Sequence, residues 1–132
     1  MYNSITMTTC GPQTFGADPA VIKWNVVRGD TAILLVEFLE DDEETFRDTT
    51  SWRYTATAYD PVAQTSDELE VNDASGYVEI VAPAYITENW GTGVGGRVGE
   101  LKFDLEVITE DDITWTPVLG TISVIGDITG GV

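Results

Sequence analysis

The clearest pattern in the chain is the apolar run from Thr31 to Leu39. Ala32, Leu34, Val36 and Phe38 share one parity and predict the core side of a strand. On the other parity Ile33, Leu35 and Leu39 are apolar as well, with Glu37 the one exception. A strand apolar on both sides is covered on both, by its own fold or by a neighbour. Ile33 and Leu35 are therefore candidate subunit-binding residues. Gly29-Asp30 predicts a turn before this strand, and the acidic run Glu40–Glu44 stops it.

Weaker patterns supply partners for that central strand. Ile22, Trp24 and Val26 alternate in a first strand, and Trp52, Tyr54, Ala56 and Ala58 alternate in a third that ends at Asp60-Pro61. Glu68–Val71 predicts a short edge strand, and Tyr77–Ala82 the next, with Val78, Ile80 and Ala82 inward. Pro83–Trp90 reads as a single helical turn or an irregular crossing. The cleanest alternation is Gly99–Val107, where Leu101, Phe103, Leu105 and Val107 oppose Lys102, Asp104 and Glu106. A turn at Glu110–Asp112 leads into Ile113–Thr116. Pro117 then predicts that Leu119–Ile128 is edge-like or bulged near its start. About seven short strands and no long helix indicate an all-β, antiparallel two-sheet sandwich over residues 22–132.

Residues 1–21 show no period of 2 or 3.6 and are punctuated by Gly11-Pro12, Gly16 and Asp18-Pro19. They read as an extended N-terminal arm. An arm of this kind is held by a neighbouring subunit or folds back on its own domain, and the first reading makes Tyr2, Ile5, Met7, Cys10 and Phe15 candidate subunit-binding residues.

Composition narrows the chemistry. The chain has 132 residues, enough for one domain with a substantial core. Six basic against 23 acidic residues give a formal charge of −17, a field that repels nucleic acid and anionic membranes and favours a basic partner or simple solubility. No apolar run reaches the length of a membrane span, and Met1–Thr6 lacks the basic, apolar start of a signal peptide, so the expected compartment of synthesis is the cytoplasm. There is no histidine, which removes Ser-His and Cys-His nucleophile systems and most zinc sites. Cys10 is alone, so it forms no internal disulfide; a link between subunits and a spectator thiol both stay open.

Three motifs invite chemistry and do not carry it. Gly91-Thr92-Gly93-Val94-Gly95-Gly96 has dinucleotide-loop spacing, but it feeds an alternating strand where that mechanism needs a helix N-terminus. Arg28-Gly29-Asp30 spells an integrin-recognition tripeptide, which reads here as a turn with solvated flanks. The acidic clusters lack the calcium-loop ligand spacing and read as solvated turns. The expectation is no enzyme, no catalytic residue, no cofactor and no metal.

The order of features resembles a family, the immunoglobulin-like N-terminal domain of phage baseplate upper proteins and related small tailed-phage virion proteins. The resemblance is carried by Arg28-Gly29-Asp30 opening an apolar strand, Phe46-Arg47-Asp48-Thr49 closing the acidic turn, and the Trp52–Tyr59 strand. Phe103-Asp104-Leu105-Glu106-Val107, Leu119-Gly120-Thr121-Ile122-Ser123-Val124 and Asp127-Ile128-Thr129 complete it. It implies a non-enzymatic virion component, made in the host bacterial cytoplasm, that binds other capsid or tail proteins as a decoration, cement or accessory subunit and forms a homo-oligomer in the particle. The alternatives are a tail or baseplate adaptor that anchors fibres and a bacterial adhesion or carbohydrate-binding module with Trp90 and Trp115 as its sugar platform. A glycan-cleaving domain using carboxylates is the enzymatic rival.

Overall fold

A computed structural model describes residues 19–40, 42, 44–91 and 99–126, together with the backbone of residues 2–8. Eight strands follow one another as β1 (Tyr2–Thr8), β2 (Ala20–Val27), β3 (Ala32–Leu39), β4 (Arg53–Asp60), β5 (Thr65–Ala74), β6 (Tyr77–Ala82), β7 (Gly99–Ile108) and β8 (Thr114–Ile125). One four-residue helix, α1 (Ala84–Thr87), lies between β6 and β7. The molecule is all-β and two-layered, as the alternation implies.

The layers are not separate sheets. Hydrogen-bonded neighbours run β1-β3-β6-β5-β4-β7-β8-β2 without a break. The crossing is made by β5: Thr65–Leu69 pair with β4 in one layer, and Glu70–Ala74 pair with β6 in the other. A strand that changes layer in mid-course is how a sandwich turns a corner. The opposite side of the sandwich stays open, with β1 and β2 as the two ends of the ladder.

One expectation about the sheet is corrected. The sheet is mixed, because β1 runs parallel to β3 and β2 parallel to β8. Parallel pairs arise where the chain must cross between layers before it returns. Of the two readings of the segment after Pro117 the bulged one holds, and β8 is one continuous strand between β7 and β2. It tolerates Pro117 through a bulge, since Leu105 pairs with Val118 and Val107 with Trp115, leaving Thr116-Pro117 opposite Glu106 alone. The missing proline N–H is therefore never asked for a ladder bond.

Alternation fills the interior as predicted. Leu34, Val36 and Phe38 from β3, Val78 and Ile80 from β6, Leu101, Leu105 and Val107 from β7, and Trp24 and Val26 from β2 form one buried cluster. Phe38 anchors an aromatic group at one end, with ring centroids 5.5 Å from Trp52 and 6.2 Å from Trp115. Trp24 meets Phe103 edge-on at 5.6 Å in the second layer.

The Arg28-Gly29-Asp30 turn is the second correction of consequence. Arg28 is only 5% exposed. Its Nε donates to the Trp90 carbonyl and its Nη2 to the Gly91 carbonyl, both at 2.8 Å. Those carbonyls follow α1, so the guanidinium closes the chain beyond the helical turn. The Gly29 N–H donates to Thr87 Oγ1, and that hydroxyl donates to the Asp30 carbonyl at 2.7 Å. The tripeptide is thus an internal fastener that fixes the β2–β3 turn to the α1 segment, and its arginine is not offered to a receptor.

Candidate docking surface

The two outer faces of the sandwich differ in what they show to solvent. In the first layer (β1, β3, β6 and the second half of β5) the outward residues are Ile33, Leu35 and Glu37 of β3, Tyr77, Glu79 and Val81 of β6, and Glu70 and Asn72 of β5. Ile33 is in register with Val81, and both, like Leu35, are half-buried. This face carries Glu37, Glu70 and Glu79 and, among the described residues, no basic side chain.

The outer face of the second layer (β2, β8, β7, β4 and the first half of β5) is built differently. Outward positions on β2 are Val21, Lys23, Asn25 and Val27, and they run in register beside Leu119, Thr121, Ser123 and Ile125 of β8. Next come Glu100, Lys102, Asp104 and Glu106 of β7, then Arg53, Thr55, Thr57 and Tyr59 of β4. Val21 is 76% exposed and Ile125 41%, with Leu119 and Tyr59 close behind. Lys23, Arg53 and Lys102 all stand on this face, three of the five basic residues described, against Glu68, Glu100, Asp104 and Glu106. Arg53 reaches past the sheet to Asp112 at 2.9 Å, an exposed pair that contributes little to stability.

A shallow hollow of about 270 Å³ opens on this face among Thr57, Tyr59, Lys102, Asp104, Leu119 and Gly120. Gly120 is required there: a Cβ would fall on the backbone of Ile22 in β2. Partial burial pushes the Asp104 carboxyl up from its ordinary value, and the nearby Glu106 charge adds to the shift. Elsewhere, Asp42 is held below the ordinary value, first by the Thr45 hydroxyl and then by backbone N–H groups of Thr45 and Glu44, and Asp48 is lowered by Thr50. These acidic turns are organised by their own hydrogen bonds, and among the described residues no group of three ligands could hold a metal ion.

The predicted subunit-binding residues are distributed as follows. Tyr2, Ile5 and Met7 belong to β1, whose Cα register places them beside Ile33, Val36 and Phe38 of the same chain. Part of the segment read as an arm is therefore a strand of its own sheet, along the fold-back alternative. Cys10 and Phe15 lie outside the described residues, as does most of the glycine-rich loop, of which only Gly91 is described. Ile33 and Leu35 share the half-buried outer side of β3. The sugar platform is overturned: Trp90 is 1% and Trp115 5% exposed, both in the core. Trp90 gives its indole N–H to Asp67 at 2.9 Å. Sequence reading missed the second layer's outer face altogether, although Val21 and Leu119 stood in the sequence as unexplained apolar residues on polar parities.

No family model matches the chain, and no curated protein does. Among solved structures it is similar to the N-terminal domain of phage TP901-1 ORF48, at 13% identity and a TM-score of 0.47 over 96% of this chain and 99% of that one. It is also similar to a cysteine protease inhibitor, EhICP2, from Entamoeba histolytica, at 10% identity and a TM-score of 0.35 over 96% and 97% of the two chains. Neither likeness carries a function across to this chain.

Proposed function

We propose that this protein is a non-enzymatic structural component of a tailed bacteriophage particle, a small β-sandwich that docks on neighbouring capsid or tail proteins as a decoration or accessory subunit. The observation that supports docking is the apolar edge of the second layer, where Val21 lies beside Leu119 and Val27 beside Ile125, with Lys23 between them on β2. Each is a cross-strand apolar pair, the two being separated by the polar rows Lys23–Thr121 and Asn25–Ser123, and exposed apolar groups of this kind mark interaction sites. The virion setting rests on the sequence resemblance to the baseplate upper protein domain. A tail or baseplate adaptor is the variant reading within the same class, since one docking patch serves either place. The carbohydrate-binding reading loses its support with Trp90 and Trp115 in the core. Mass spectrometry of gradient-purified particles, followed by imaging with this subunit labelled, tests the proposal. Recovery at fixed stoichiometry is expected; particles that assemble in the presence of the protein yet contain none would overturn it.

A further inference from the structure

We infer that the outer face of the second layer is a self-association surface, and that its occupant is a second copy of this chain bound about a two-fold axis. The inference rests on the docking reading above and names the partner of the same face. It starts from charge. At a formal −17, two copies repel over most of their surfaces, and they approach only where acidic and basic groups are locally balanced. Among the described residues this face comes nearest to that balance: Lys23 and Lys102 stand among Glu68, Glu100, Asp104 and Glu106, and Arg53 is paired with Asp112.

Shape points the same way. Val21 projects as a knob, 76% exposed, and its register partner Leu119 is also a wall of the 270 Å³ hollow. Knob and hollow are thus neighbours on one face, which is the condition for an isologous contact: each copy inserts its own knob into the other's hollow. Tyr59 and Leu119 supply apolar walls for the incoming valine, and Lys102 and Asp104 line the same hollow with one charge of each sign. A face of five strands is at the small end of stable interfaces, so a dimer of about micromolar affinity is expected.

Sedimentation velocity on the full chain tests this, at concentrations from about 1 to 100 μM and in low and high salt. Screening of the −17 charge should tighten the dimer roughly tenfold as the Debye length falls from about 10 Å toward 3 Å. Val21→Glu should abolish the dimer with melting temperature unchanged, because the side chain is exposed, and Leu119→Glu should do the same. Leu35→Glu, on the other face, should leave the dimer intact. A strictly monomeric chain at high salt, or a dimer indifferent to both Val21→Glu and Leu119→Glu, overturns the inference. If that monomer still enters particles, self-association falls and the docking reading stands. A face that instead binds polylysine, and loses it as salt rises, belongs to a basic partner and also overturns the inference.

Discussion

The two layers of the sandwich have the same interior and unlike exteriors. Inside, Phe38 in one layer and Phe103 in the other are equally buried, and both sit at edge-on aromatic contacts. Outside, the first layer shows half-buried Ile33, Leu35 and Val81 among glutamates, while the second shows exposed Val21, Leu119 and Ile125 among charges of both signs. The net charge of the chain is therefore a poor description of any one face. Acidic and basic groups are mixed on one face and not on the other, although the chain as a whole is strongly acidic.

The sameness of the interiors is the easiest part of the comparison to break. Phe38→Ala and Phe103→Ala should each cost about 3–5 kcal/mol in denaturant unfolding, because both leave cavities in one shared core. If one layer tolerates the loss and the other does not, the layers fold as separate units. Arg28→Ala ranks next. It strips two carbonyls of charged donors and should cost about 2–3 kcal/mol, with the urea slope unchanged. A neutral outcome would mean that water replaces the guanidinium at that corner.

The outer faces call for smaller effects. Leu35→Asp should lower stability by only about 1 kcal/mol, since the side chain is half-buried and its new charge reaches solvent. Outright unfolding would show that Leu35 is covered far more deeply than its exposure states. The smallest effect belongs to Asp104. Its folded pKa is raised above the unfolded value, so its ionisation opposes folding as pH rises through that folded value. Asp104→Asn should therefore raise the melting temperature slightly at neutral pH, with the gain gone in acid where the native carboxyl is already protonated. A gain that persists in acid would assign the effect to packing.

Much of the architecture was legible because alternation is a direct consequence of one buried side. The Leu101–Val107 run fixed β7 and its inward residues, and the two-sided apolar run fixed β3. Other features were not legible, for physical reasons that differ. Residues 2–8 have no period, and their place beside β3 comes from backbone pairing, which leaves no side-chain signature. Arg28 in a Gly-Asp turn has the local chemistry of a solvated residue, and only the distant Trp90 and Gly91 carbonyls make it an internal one. Trp90 sits beside a loop, where surface placement is the natural expectation, yet the indole is buried against Asp67. The exposed apolar pair of the second layer's outer face escaped because its valine and leucine, Val21 and Leu119, lie on different strands and meet only in register.

That register has a consequence for how the protein is made. The ladder partner of β2 is β8, with Ala20 against Val118 and Val27 against Ile125. Nearly a hundred residues of chain must therefore leave the ribosome before the second strand finds its place. Until then β2 waits with both of its edges bare, while β3 and β6 are already able to pair. Closing so long a loop is slow, and a bare strand is the part of a nascent chain that neighbours capture. At low synthesis rates or high polysome density, the strand that later carries Val21 is thus the point at which a nascent chain is most open to misassembly.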